Sequence, residues 1–138
     1  MKLVEEGRPV KLLVETCAYE GVKRIAGTIA EDIRKVTGQK PGIVTEREYG
    51  ERTDRADRVI LCATVGKSAL LEELERSGMI DLSAVRGKRE VYQIRLQEGS
   101  PVCAGELLVI CGSDKRGTIY GMFALSEYIG VSALCYWG

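Results

Sequence analysis

The sequence contains no histidine. Histidine is the general base that enzymes use most often near neutral pH, and its neutral ring is the commonest metal ligand. Its absence excludes histidine-based catalytic triads and most zinc sites. The five cysteines form no C-x-x-C pair, and an odd number without a secretion signal indicates reduced thiols, four of them small core side chains. We predict that this chain carries no catalytic residue, no metal site and no cofactor.

Net charge is also lacking, because 20 Lys and Arg residues balance 20 Asp and Glu residues. No field of one sign attracts nucleic acid or an anionic membrane surface. No apolar run approaches the ~18 residues of a spanning helix, and the first residues lack the apolar stretch of a signal peptide. We expect a cytoplasmic protein with no nucleic-acid or membrane partner, although a parent protein could be secreted if a signal has been removed from this sequence.

The chain is too short for a second large domain. It has 138 residues, 45% of them apolar and 29% charged, with too few prolines and glycines for a low-complexity chain. We therefore predict a single domain over residues 1–138.

Apolar runs and amphipathic segments predict the order β-α-β-β-α-β-β-α, a mixed sheet backed by helices. The predicted strands are residues 10–15, 42–45, 59–65, 91–96 and 107–111. The predicted helices are residues 22–36, 68–76 and 114–129, with Gly38 and Gly130 ending the first and the last. The connection between the last two strands is too short to hold a crossover helix, so we expect those strands to be antiparallel.

Two further segments have a simple interpretation. Residues 46–58 carry interleaved charges of both signs and are predicted to be a solvated loop. Gly66, Lys67 and Ser68 follow a strand and open a helix, as in a phosphate-binding loop, but the first glycine of that motif is replaced by Leu61. We expect Ser68 or Lys67 to open the helix instead.

The last predicted helix carries more apolar surface than one sheet can cover. Its apolar residues surround nearly the whole circumference and leave a narrow polar strip near Thr118, Ser126 and Glu127. Lys115 and Arg116 oppose the helix dipole in the first turn, which predicts an acidic partner in this domain or outside it. We expect one side of this helix to pack on the sheet and the other to meet another body.

Three stretches of the sequence resemble a known family. The tail GSDKRGTIYG followed by ALSEYIGVS, and upstream EGVKRIAGTIAEDIRKVTG and TVGKSALLEELERSGMIDLSAVRGKREVYQI, resemble the family-115 glycoside hydrolases, the xylan α-1,2-glucuronidases. The resemblance implies an α/β domain similar to the non-catalytic amino-terminal domain of hexosaminidases, with a mixed sheet and helices mainly on one face. The catalytic barrel that follows in such enzymes has no counterpart here, and the family's tryptophan-rich exit appears as VSALCYW.

The resemblance and the last helix together give the leading hypothesis. It is a non-catalytic, amino-terminal accessory domain that supports the barrel of a glycoside hydrolase through the last helix and tail. The residues predicted at the domain junction, or close to substrate, are Asp114, Lys115, Arg116, Tyr120, Tyr136 and Trp137.

Alternatives to this hypothesis stay open. In the first alternative the chain is a complete small enzyme. In the others it is a free-standing carbohydrate-binding module or a self-association module. We also consider a homo-oligomer that forms through the last helix and tail. A binding module needs aromatic side chains that face solvent on a strand. The one candidate is Tyr92, and its alternation with Gln93 favours a place in the core.

Overall fold

A computed structural model describes residues 4–5, 8–15, 19–50, 58–98 and 105–137. The strands in these residues are β1 (Val4–Glu5), β2 (Arg8–Pro9), β3 (Lys11–Val14), β4 (Ile43–Thr45), β5 (Val59–Thr64), β6 (Tyr92–Glu98) and β7 (Glu106–Gly112). The helices are α1 (Glu20–Thr37), α2 (Glu46–Gly50), α3 (Ala69–Arg76) and α4 (Lys115–Trp137). Every predicted helix and strand is present, and β1, β2 and α2 are additional.

The main sheet has five strands in the order β4-β3-β5-β7-β6. The first four are parallel, and β6 is antiparallel to β7, which confirms the mixed α/β sheet and the expected direction of the last two strands. β1 and β2 form a separate antiparallel pair. The chain passes from β3 to β4 on one side and then to β5 on the other. The carboxyl ends of β3 and β5 therefore flank a topological switch point, where open α/β sheets bind ligands.

Both faces of the sheet are covered. All six residues of β5 are buried, which explains why its sequence is an uninterrupted apolar run. Ile60 and Cys62 pack with α1 and α4, whereas the opposite face packs on Leu71 and Leu74 of α3 and on buried residues of the 79–85 segment. The two long helices share one face, as the resemblance implies, and the short helices α2 and α3 lie on the other.

Helix ends follow local sequence signals. Gly38 ends α1 in the left-handed conformation, with φ of 81°, and its amide donates to Arg34 O at 2.7 Å, as predicted. Ser68 begins α3, because its Oγ accepts from the amide of Leu71 at 3.0 Å. The Gly-Lys-Ser segment thus opens a helix in the predicted way.

The predicted end of the last helix at Gly130 is wrong. α4 continues through Gly130 to Trp137, a length of 23 residues. A glycine inside a helix costs only about 1 kcal/mol relative to alanine, and Ala133 and Leu134 beyond it favour the helix. No helix in the described part of the chain is long and apolar enough to cross a membrane.

The prediction of a solvated loop at residues 46–58 is also corrected in part. Residues 46–50 form the short helix α2, and Tyr49 is one of the largest fully buried side chains of the described structure. One buried ring anchors this charged segment to the sheet. Residues 51–57 lie outside the described residues.

Glycines let α4 approach the sheet closely. A Cβ at Gly117 would lie 2.2 Å from the carbonyl oxygen of Val91, and a Cβ at Gly121 would lie 2.7 Å from Cγ2 of Ile110. A larger residue at Gly117 would clash with the backbone of Val91, and one at Gly121 would require the side chain of Ile110 to shift. The prediction that these two glycines permit close backbone approach is confirmed.

Candidate functional site

The residues predicted at the start of α4 form a capped helix terminus. Oδ1 of Asp114 accepts from the amide of Gly117 at 2.8 Å, and Oδ2 accepts from the amide of Glu90 at 3.0 Å. These hydrogen bonds, the one from Gly117 first, lower the pKa of Asp114. Asp114 therefore begins the helix and fastens it to the chain segment just before β6.

Arg116 has an acidic partner within this chain. Its Nη1 lies 2.8 Å from Oε1 of Glu90, and both side chains are largely exposed. The hydrogen bond to Glu90 raises the pKa of Arg116. The acidic group expected opposite this cation is thus present in the domain itself.

Lys115 is partnered by an aromatic ring. Its Nζ lies 5.7 Å from the ring centroid of Tyr19, and Nζ of Lys67 lies 4.0 Å from the same centroid. Both are cation–π distances. Tyr19 immediately precedes α1, so this ring joins the beginnings of three helices at the carboxyl edge of the sheet.

The switch point itself contains a buried carboxyl group that the sequence analysis missed. Glu15 follows β3 and has no exposed surface. Its Oε1 accepts from the amide of Thr64 at the end of β5, whereas its Oε2 has no hydrogen-bond partner. Burial raises the pKa of Glu15, and the charge of Glu46 adds to the increase. A polar residue at the end of an apolar strand was the available sequence signal.

A second carboxyl group lies beside this one. Oε1 of Glu46 accepts from the hydroxyl of Ser68, and burial raises the pKa of Glu46. Two carboxyl groups that favour protonation can hold protons at this edge of the sheet. Glu15 is covered by protein, so it is not itself open to a ligand. No cluster of metal-ligating side chains occurs among the described residues.

Two residues of the polar strip predicted on α4 contact other parts of the protein, whereas the third, Glu127, is exposed as predicted. Thr118 is fully buried, and its hydroxyl is 2.6 Å from that of Thr64 and 3.2 Å from the carbonyl oxygen of Ala63. Ser126 donates to Oδ2 of Asp32 in α1 at 2.6 Å. α1 thus covers this side of α4 from within the chain, and the expectation that the helix also meets another body stays a prediction.

A third side of α4 remains uncovered. Tyr120, Phe123 and Tyr128 are 44%, 50% and 69% exposed. On neighbouring β6, Tyr92 and Leu96 are exposed by 41% and 48%. We call these five residues the α4–β6 surface. Gly121 faces Tyr92, so Tyr120 and Tyr128 lie on the β6 side of the helix, whereas Phe123, about 200° further round than Gly121, lies on its outer side. Exposed apolar surface of this kind is typical of an interaction site.

Strand β6 also corrects the expectation for Tyr92. Gln93, rather than Tyr92, points into the interior, where its Nε2 donates to the carbonyl oxygen of Asp81 at 2.9 Å. Tyr120 lies on the α4–β6 surface as an exposed residue. The side chains of Tyr136 and Trp137, also predicted at the junction, lie outside the described part of the structure.

Comparisons with known proteins identify the fold. No protein-family model matches the sequence, and no curated protein matches it. A solved structure that matches is a family GH115 4-O-methyl-alpha-glucuronidase described as having specificity for decorated arabinogalactans. The TM-score is 0.67 at 24% identity, over 92% of this chain and 14% of that chain. This chain thus has the α/β fold of one domain of that enzyme and spans a small part of its length.

Proposed function

We propose that this chain is a non-catalytic, amino-terminal accessory domain of a glycoside hydrolase related to family 115, and that α4 supports the catalytic barrel. The observation that carries the proposal is the fold match to an α-glucuronidase, which extends over 92% of this chain but only 14% of that enzyme. A domain of such an enzyme would need a surface for the rest of the protein. The α4–β6 surface supplies an apolar one.

The chemistry of the described residues is consistent with a supporting role. The two carboxyl groups with raised pKa, Glu15 and Glu46, hold hydrogen bonds to the protein's own backbone or hydroxyl groups. Glu15 is fully buried, so it does not reach a glycosidic oxygen. A glycosidase of the usual kind needs an accessible acid and a second carboxylate across the scissile bond.

The proposed support can be tested by association in trans. A family-115 α-glucuronidase lacking its own amino-terminal domain would be mixed with this chain, and binding would be followed by calorimetry. We expect saturable binding that a Phe123→Lys substitution weakens by about tenfold or more, since a large apolar contact is replaced by a charge. Ile43→Lys is the matched control, because Ile43 is an exposed apolar residue on β4 at the opposite edge of the sheet. Absence of binding would argue against support of such a barrel.

The non-catalytic role has its own test. Purified chain incubated with aldouronic oligosaccharides, and with arabinogalactan carrying 4-O-methylglucuronic acid, should release no uronic acid. The same substrates with a complete family-115 enzyme provide the positive control. Turnover by this chain alone would show that it is an enzyme in its own right.

A free-standing carbohydrate-binding module is the second candidate, and the exposure of Tyr92 on β6 favours it. Aromatic rings at a surface can stack on sugar rings. Titration with xylan oligosaccharides separates the two functions: saturable heat that is lost in Tyr92→Ala would support the binding module. Heat changes no larger than dilution would support the accessory domain.

A further inference from the structure

Strand β6 leaves one row of backbone groups without a strand partner in the described structure, because it is the last strand of the sheet. The amide of Ser113 donates to the carbonyl oxygen of Val91 at 2.9 Å. This bond determines which residues of β6 form backbone hydrogen bonds with β7. In an antiparallel ladder the bonded residues alternate. Gln93 and Arg95 therefore bond to β7, whereas the backbone groups of the even-numbered residues point outward.

The residues of β6 whose backbone groups point away from β7 include its large apolar residues. Tyr92, Ile94 and Leu96 lie on the face that carries α4, and a Cβ on Gly121 of α4 would lie 3.2 Å from the ring of Tyr92. The carbonyl oxygen of Ile94 accepts from Nη1 of Arg95 at 3.2 Å, and its second lone pair leaves it able to accept from the amide of a paired strand. Exposed edges of this kind pair readily with another strand unless charge, proline or a bulge blocks them.

We propose that a second copy of this chain pairs with β6 in antiparallel orientation, about a two-fold axis at Ile94. In an antiparallel pair, side chains directly opposite each other lie on the same face, so the two-fold axis must pass through a residue and not between two residues. Only an axis at Ile94, Arg95 or Leu96 pairs roughly five or more residues of each β6 strand. An axis at Arg95 opposes two guanidinium groups, which is destabilising. An axis at Leu96 puts Ile94 opposite Glu98.

The axis at Ile94 is the one that matches side-chain chemistry. It pairs Tyr92 with Leu96 of the second copy, and Ile94 with its own counterpart, so each apolar side chain meets another. On the other face, Gln93 is opposite Arg95, a neutral group opposite a cation. The two sheets would then join into one of ten strands, five from each copy.

Helix α4 adds to the same contact. Tyr120, Ala124 and Tyr128 recur at intervals of four, so they lie in one row along the helix. Gly121 faces Tyr92, which puts this row on the β6 side of the helix. Pairing of the two β6 strands brings the row of one copy close to the row of the other. The exposed rings of Tyr120 and Tyr128 then become covered by the second copy.

A second copy fits this edge better than a pairing between β6 and the opposite edge. The opposite edge strand, β4, has only three residues, Ile43–Thr45, and Pro41 precedes it. Pairing of β6 with β4 would be short and would generate an open filament, whereas β6 with β6 closes as a dimer. This inference does not depend on the proposed function, and it competes with that function for part of one surface, because a barrel and a second copy would not both cover Tyr92 and Leu96.

Sedimentation equilibrium of the full chain tests the dimer. We expect a reversible monomer–dimer equilibrium that Leu96→Lys shifts by about tenfold or more towards monomer, because a charge replaces an apolar contact in each half of the interface. Ile43→Lys should leave the equilibrium unchanged. Circular dichroism of both variants should match that of the wild-type chain, which checks that they fold. A wild-type chain that stays monomeric at millimolar concentration, or a dimer unaffected by Leu96→Lys, would overturn the proposal.

Amide hydrogen exchange tests the register in the wild-type protein. On concentration, the amides of Tyr92, Ile94 and Leu96 should become protected, while that of Glu98 stays in fast exchange. Gln93, which bonds to β7, should be protected at every concentration and serves as the internal control. Protection of Glu98 without Tyr92 would rule out the axis at Ile94.

Discussion

The backbone amide of Thr64 donates to the carboxyl group of Glu15, across the junction between the carboxyl ends of β5 and β3. This hydrogen bond lies where the strand order reverses, and Glu15 keeps its other oxygen unpartnered. Burial raises the pKa of Glu15 above its usual value of 4.5. The folded state therefore binds this proton more tightly than the unfolded chain does.

Glu15 gives the first prediction, on the pH dependence of stability. Because the pKa is higher in the folded state, the contribution of Glu15 to stability is fully present below pH 4.5 and is lost as the pH rises through the raised value. Glu15→Gln removes this ionisation but keeps an oxygen for the Thr64 amide. Urea denaturation between pH 4 and 8 should show a smaller loss of stability with rising pH in the variant.

The control for this prediction is Glu72→Gln, a change at an exposed position of α3. It should leave the pH dependence as in the wild-type protein. Identical profiles for wild type and Glu15→Gln would show that Glu15 is ionised alike in both states.

Glycines in two helices give the second prediction. Gly117→Ala should destabilise the protein by more than about 1 kcal/mol, because the new Cβ would lie 2.2 Å from the backbone oxygen of Val91. Gly27→Ala in α1 should instead stabilise it by roughly 0.5–1 kcal/mol, since no atom lies within 4 Å of that Cβ. Thermal and urea unfolding measure both. Equal effects would contradict the close packing of α4 on the sheet.

The start of α4 gives the third prediction. Asp114→Ala should cost about 1 kcal/mol, because two backbone amides lose their acceptor. Arg116→Ala should leave the free energy of unfolding unchanged within error, since its ion pair with Glu90 is exposed and solvent-screened. Urea unfolding of the two variants at the same pH makes the comparison. A larger loss from Arg116 than from Asp114 would assign the helix start to the ion pair.

Buried thiols give the fourth prediction. Burial raises the pKa of Cys62 to about 12 and that of Cys111 to about 11. Little thiolate forms at pH 8, so both should react with iodoacetamide far more slowly in native than in urea-unfolded protein. Mass spectrometry of peptides follows each site. Rapid native labelling of Cys62 would mean that β5 opens readily. Cys17 and Cys103 lie outside the described residues.

Local patterns predicted the helices and strands because each depends on near neighbours. The spacing of apolar residues identified α1, Gly38 identified its end, and Ser68 identified the start of α3. The helix end predicted at Gly130 was wrong because a single glycine destabilises a long helix too little to end it. Tyr49 was missed because one apolar residue in a charged segment has no periodicity.

The candidate site was only partly accessible to the same reasoning. Two cations at the start of α4 correctly indicated an acidic partner for Arg116, but Glu90 is 26 residues away in sequence. The association of Glu15 with Thr64 spans 49 residues. Contacts of this length depend on strand order, and no local pattern encodes strand order.

The sequence by itself determined the mixed α/β class of the fold and a last helix that has more apolar surface than a sheet can cover. The tertiary structure decided which parts of that surface stay open. It buried Thr118 by giving its hydroxyl the carbonyl oxygen of Ala63 as an acceptor, and it turned Gln93 inward and Tyr92 outward. A polar group can be buried only where the fold supplies its hydrogen-bond partner, and that partner comes from a distant part of the chain.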